Sequence, residues 1–168
     1  MAGDELDIMK LDDTDRKILF LLQEEMRTNL SHEDIAEQID VSSSTVGNRI
    51  RQLKEREVLQ DYQPKINYEE AGIPHHILFV CTAPIAERTK FAKQATDIDG
   101  VVNTRELLTG QRNLHVEIVC LDAKSIEVVA KELDELGLEI EMSEMLREEY
   151  SQPFNHFGPI LRDESDES

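Results

Sequence analysis

The sequence predicts an α+β chain in two parts: an N-terminal three-helix helix-turn-helix (winged-helix-like) domain and a C-terminal ferredoxin-like βαββαβ domain. Three observations carry this expectation. Apolar residues recur at helical spacing in three short segments before residue 57, with a compact break between the second and third. Near residue 74 the period changes to strand-like alternation. From there the segments follow in the order β-α-β-β-α-β.

In the head, residues 11–25 read as a helix. Asp12 can cap it, Asp15 follows three residues on, and Ile18, Leu19, Leu22 and Met26 form one face. A second helix starts at Ser31, with Asp34 as an acidic variant of the capping box and Ile35, Ala36 and Ile39 as its apolar positions. Asp40, Val41 and Ser42 form a tight break. The third helix, capped by Ser42, turns Val46, Ile50 and Leu53 to one side at i, i+4 and i+7. Residues 1–10 read as a loose acidic arm, 11–57 as the helix-turn-helix domain, and 58–73 as a connection. Within that connection residues 58–66 look strand-like and 67–72 form a turn.

Residues 74–150 make the second domain. Strands are expected over 75–82, 101–109 and from Leu114 to Cys120, with a hairpin at 110–112 and a last strand around Ile140 and Met142. The helices fall at 86–96 and 123–136, the latter closed by Gly137. Residues on both sides of the 101–109 strand are apolar (Val101 and Leu107; Val102 and Leu108). One sheet face should therefore meet a partner, giving a two-fold dimer or a multiple of it. Residues 151–168 form an extension with an acidic tail, expected to be disordered from 162 onward.

Composition narrows the class. No run of about 18 apolar residues exists, so no membrane span is expected. The first residues lack an apolar signal core, so a cytoplasmic location is expected. Cys81 and Cys120 lie in apolar runs and read as buried reduced thiols, with a redox pair as the alternative. Lys and Arg total 18 against 36 Asp and Glu, a net charge of −18, with the acids spread along the whole chain. That is the wrong sign for a protein that meets phosphate, but it suits a halophilic archaeon, where a carboxylate surface stays hydrated in molar salt, with an ordinary acidic protein as the alternative.

The third helix stands apart. Its outward face presents Ser43, Ser44, Thr45, Asn48, Arg49, Arg51 and Gln52, the donor and acceptor types that read base edges or grip phosphates. Between Ser42 and Arg56 four basic residues face one acid, a local +3 that leaves −21 for the rest of the chain. Double-stranded DNA is the expected partner.

The chain resembles the leucine-responsive regulatory proteins, the Lrp/AsnC family. The matching residues in the head are Leu11, Asp12, Asp15, Ile18, Leu22, Arg27, Ile35, Ala36, Val41, Ser42, Val46, Arg49, Ile50 and Leu53. Val58, Leu59, Tyr62 and Gly72 continue the match, and Gly100-Val101 and Thr109-Gly110 fit in the second domain. The resemblance covers roughly residues 11–150. It implies transcriptional control, dimers made by facing the C-terminal sheets, often higher assemblies, and amino-acid effectors. The effector is expected at the hairpin Thr109, Gly110, Gln111, Arg112 and Asn113, which offers backbone N–H groups and short polar side chains. Three departures stand out. A glycine usual after the recognition helix is Glu57, so the helix end must close differently. The acid that follows the Thr-Gly hairpin in the family and can pair with an amino-acid ammonium is Asn113. The segment 152–161, with Pro153, Phe154, His156 and Phe157, exceeds the family's length and is expected to pack on a neighbouring subunit.

Other chemistries find little support. His75 and His76 are adjacent in a strand and point to opposite faces, so they do not share an ion. His115 and Glu117 share a face that is expected to meet a partner. No Cys-x-x-Cys pair, Gly-rich phosphate loop or Ser/His/Asp pattern is present, and no cofactor or metal is expected. The rival enzyme is a sirohaem decarboxylase-like protein of the same architecture, faintly echoed by Arg112-Asn113-Leu114. Its His-rich and Trp-containing stretches are missing, and the chain has no Trp. A ligand-binding module without DNA binding is the third reading, and Arg49 and Arg51 speak against it.

Overall fold

The computed structural model describes residues 10–28, 30–60 and 63–158. Residues 1–9 of the expected acidic arm, the end of the tail and the side chain of Met26 lie outside the described residues. The chain divides into two units, one of residues 1–65 with 150–168 and one of 66–149.

The first unit holds α1 (Asp13–Thr28), α2 (His32–Ile39) and α3 (Ser43–Glu55). Each begins where its cap dictates. The Asp12 carboxylate accepts the Asp15 N–H at 2.8 Å. Ser31 and Asp34 exchange both bonds of a capping box, and Ser42 Oγ accepts the Thr45 N–H at 3.1 Å. Asp40, in the left-handed region at φ 54°, turns the chain between α2 and α3. Ile18, Leu22, Ile35, Val46, Ile50 and Leu53 close into one core, each at most 6% exposed.

The strand expected over 58–66 is absent among the described residues there. The Val58 and Leu59 N–H groups instead both donate to the Leu53 carbonyl, closing α3. Glu57 takes the left-handed conformation at φ 58° that a glycine would adopt freely. Backbone donors used to finish a helix are not available for a strand ladder.

The second unit is a four-stranded antiparallel sheet in the order β2-β3-β1-β4. Its strands are β1 (His75–Thr82), β2 (Val101–Glu106), β3 (Leu114–Cys120) and β4 (Glu139–Met145). A short 3₁₀ turn (Ile85–Glu87) leads into α4 (Arg88–Thr96), and α5 is Ala123–Glu135. Both helices cover one sheet face. Ile77, Phe79, Cys81, Leu114, Val116, Ile118 and Cys120 alternate into that core against Phe91, Ala95, Val129 and Leu133. The second strand ends at Glu106, three residues short of expectation, so Leu107 and Leu108 belong to the hairpin and Leu108 is 94% exposed. The two-sided strand is β1, whose Leu78 and Val80 alternate away from the helices.

Both cysteines are free and buried. In the β1–β3 ladder Cys81 sits opposite Leu114 and Cys120 opposite His75. Six residue steps separate them, about 20 Å, too far for a disulfide. Burial pushes the Cys81 thiol up to about 12, with the Glu141 charge adding to it.

Candidate nucleic-acid interface

The exposed side of α3 carries Ser43, Ser44, Asn48, Arg51 and Gln52, with Thr45 and Arg49 half-buried beside them. Five of the seven expected residues are thus exposed on the helix, and Val46, Ile50 and Leu53 anchor it from behind. The seven are not equally free. Ser42 Oγ lies 2.9 Å from Ser44 Oγ and 2.8 Å from Thr45 Oγ1, so the hydroxyls at the N-terminus form a local cluster. Arg51 Nη2 donates to Asn48 Oδ1 at 2.9 Å, an outward pair that can rearrange at little cost.

Arg49 behaves differently. Its Nη1 donates to Asp12 Oδ2 at 2.6 Å and to Asp15 Oδ1 at 3.4 Å, back to the start of α1. Arg56 joins the same acids, with Nη1 3.6 Å from Asp15 Oδ2 and Nη2 donating to the Lys10 carbonyl. Asp15 is 4% exposed. Partial burial raises the Asp12 carboxyl, but the Asp15 N–H and the Arg49 guanidinium outweigh it and hold it below its usual value of 3.8. A carboxyl depressed by folding stabilises above its unfolded pKa and loses that contribution as pH falls through the folded one. The Asp12–Arg49 pairing is thus fully formed at neutral pH. With Asp12 and Asp15 included, the local +3 becomes +1, so α3 is a hydrogen-bonding surface more than a cationic one. The sequence shows these four residues but not their union, because Asp12 and Asp15 already read as helix-start residues.

In the second unit the hairpin of residues 107–113 joins β2 to β3. Thr109, Gly110, Gln111 and Arg112 are exposed, while Asn113 is fully buried. Its Oδ1 accepts the Ala83 N–H at 2.8 Å and its Nδ2 donates to the Ala83 carbonyl at 2.9 Å. Asn113 is thus part of the hairpin's frame and is withdrawn from the ligand-facing set expected above. Asn113→Ala should strand both buried Ala83 groups and lower the second unit's stability by about 2–4 kcal/mol. Urea unfolding followed residue by residue checks this, and the head should be unaffected. Gly110 has open space around it, and the left-handed residue of the loop is Arg112 at φ 50°.

On the sheet face away from the helices, Glu117 is 7% exposed. His76 Nε2 lies 2.6 Å from its Oε1, and Asn103 Nδ2 and Arg105 Nη2 each lie 3.3 Å from its Oε2. The sequence placed Glu117 on this face but not the polar knot around it. Among the described residues no group of three or more His, Cys, Asp or Glu is placed to hold a metal, and no helix is long and apolar enough to cross a membrane.

These features define a helix-turn-helix protein with a ferredoxin-like second domain. Residues 11–54 match the AsnC-type helix-turn-helix domain. The head of the chain, about a quarter of its length, thus carries an AsnC-type helix-turn-helix domain. It is 45% identical over 64 residues to an HTH-type transcriptional regulator of Pyrococcus furiosus, covering 38% of this chain and 42% of that one. The alignment thus spans about two fifths of that relative's length. A Pyrococcus horikoshii HTH-type regulator is 27% identical over 119 residues, 71% of this chain and 73% of its own. In fold, the chain is similar to the leucine response regulatory protein of Mycobacterium tuberculosis (TM-score 0.66, 19% identity, 84% of this chain and 96% of that one). It is also similar to a Neisseria meningitidis transcriptional regulator solved with L-Met (TM-score 0.65, 20% identity, 86% and 94%).

Proposed function

We propose that this chain is a sequence-specific DNA-binding transcriptional regulator that works as a homodimer or higher homo-oligomer and answers to a small effector. The observation that carries the reading is the capped, core-anchored α3, with Ser43, Ser44, Asn48, Arg51 and Gln52 exposed together on one side. In a helix-turn-helix head this is the element that enters the major groove. The half-buried Leu78 and the exposed Met142 on the sheet face away from the helices support self-association. The L-Met complex of the Neisseria regulator supports an amino acid as the effector class, with Thr109, Gly110, Gln111 and Arg112 as the contact loop. The regulator names of the relatives favour this over a sirohaem decarboxylase. The −18 charge supports a cytoplasmic protein working in molar salt.

The test is recovery of the DNA the protein occupies in its own cells, with and without amino-acid starvation. A small set of shared sites whose occupancy changes several-fold on starvation is expected. Gly110→Val adds bulk to an open loop, so it should keep the sites and lose the response. Uniform, sequence-independent recovery would sink the reading.

A further inference from the structure

α1 is covered on more than one side. Ile18, Leu19, Phe20, Leu21 and Leu22 are five consecutive residues, none more than 8% exposed. A helix that leans on a core along one stripe buries residues three and four apart, whereas five in a row turn through more than a full circle. α2 and α3 close one side of this stretch through Ile35, Val46, Ile50 and Leu53. The Phe20 side needs another cover.

The C-terminal extension supplies it. Residues 155–157 form a one-turn 3₁₀ helix that seats the half-buried Phe157 against the head's core cluster. The Phe154 N–H donates to Gln23 Oε1 on α1 at 3.0 Å, and the Phe154 and Phe157 rings meet edge to face at 4.9 Å. Gly158 is pressed so closely on Phe20 that an added Cβ would lie 2.7 Å from its Cζ. Its φ of −97° is open to any residue, so space and not backbone conformation asks for glycine here. The expectation that this segment packs on a neighbouring subunit is corrected by these contacts, since it covers the head of its own chain.

We propose that α1 carries a docking face for a Phe-x-x-Phe-Gly segment, centred on Phe20 and Gln23, and that residues 153–158 of the same chain occupy it as the fourth element of the helix-turn-helix head. Each part of the segment has a task. Phe157 adds apolar surface to the core, Phe154 braces that ring and fixes the register through Gln23, and Gly158 lets the backbone close on Phe20. A head of this size buries a small core, so one more aromatic ring is a large share of what holds it together. The head is then a discontinuous domain, with Phe154 and Gln23 131 positions apart in the chain. Residues 11–54, which match the helix-turn-helix domain, leave this element out.

The experiment is amide hydrogen exchange on the full chain, read by NMR without DNA or effector. Phe157→Ala should speed exchange of the most protected amides of α1, α2 and α3 about tenfold, the effect of giving up a half-buried phenylalanine ring. Those of β1, β3 and α5 should keep their rates. A head unfolded outright beside an intact second domain is the same result carried further. Phe157→Leu, which keeps an apolar side chain in place, should recover most of the loss. Gly158→Ala should speed the same head amides, and should do so less in a Phe20→Leu background, where the ring it meets is gone. In a sample mixed from isotope-labelled and unlabelled chains, the Gly158–Phe20 NOE should arise within one chain. Unchanged head protection in Phe157→Ala overturns the proposal, and so does an equal effect of Gly158→Ala in both backgrounds. An NOE between two chains would seat the segment on a neighbouring copy and overturns it as well. Because neither DNA nor effector is in the sample, a failure of the proposed function would leave these rates unchanged and is read separately.

Discussion

Ile50→Asp unfolds the head and leaves the second domain folded. Ile50 is 6% exposed and lies between Val46 and Leu53, both at 0%, on the inner side of α3. Removing its buried surface costs about 1.5–3 kcal/mol. The carboxylate put in its place has no partner in this core, and an unpaired buried charge adds several kcal/mol more. That total reaches the lower part of the about 5–15 kcal/mol by which domains are stable, where a head of this size belongs. The two cores share no residue, so the damage should stop at the head. Residue-resolved NMR should show collapsed dispersion for residues 11–57 and unshifted signals from β1, β3 and α5. Operator binding should be lost entirely. Uniform loss of dispersion in both units would mean that the second domain depends on the head for its fold.

What the sequence revealed follows from how local each signal is. The starts of the three head helices are set within four residues by Asp12, Ser31 and Ser42, so they could be read directly. β1 and β3 emerge at their expected bounds because each lies between a helix-covered face and an alternating opposite one. The strand expected over 58–66 is absent among the described residues for the same reason. Val58, Leu59 and Ile66 have strand-like character, but two of these N–H groups finish α3, a choice settled by Leu53 and Glu57 rather than by periodicity. β2 ends at Glu106 although Leu107 and Leu108 are apolar, and nothing local says that they pass into a hairpin. The site shows the same limit. Residue types on α3 could be read from the sequence. That Arg49 turns back to Asp12 and Asp15, that Asn113 is spent on Ala83, and that Phe157 returns to α1 are long-range facts, with partners 30 or more residues away.

Arg49→Ala and Arg51→Ala should separate stability from recognition, in the opposite sense to their resemblance as neighbouring outward arginines. Arg49 is 35% exposed in its side chain and ion-paired to Asp12 and to Asp15, whose own side chain is 6% exposed. Its removal leaves the nearly buried Asp15 with Arg56 alone at 3.6 Å. Stranding a charged group of this kind costs about 1–3 kcal/mol of head stability. Arg51 is 67% exposed in its side chain, 4.0 Å from Glu55, and a surface pair of that sort contributes about 0–1 kcal/mol. Arg51→Ala should therefore unfold like the wild type. Its cost should fall on the operator, where a bidentate base contact is worth roughly 1–3 kcal/mol, about 5- to 150-fold in affinity. Molar KCl sharpens the contrast. The screening length there is about 3 Å, so long-range attraction to phosphate and repulsion from the acidic surface fade together, and short contacts decide. The salt slope should accordingly be shallow beside the steep loss seen when many counterions are released. The measurements are urea unfolding of the head and operator binding by each variant across molar KCl. A stable Arg49→Ala that has lost the operator, beside an unaffected Arg51→Ala, would place the base contact on Arg49 and make its pairing with Asp12 a resting state broken by DNA.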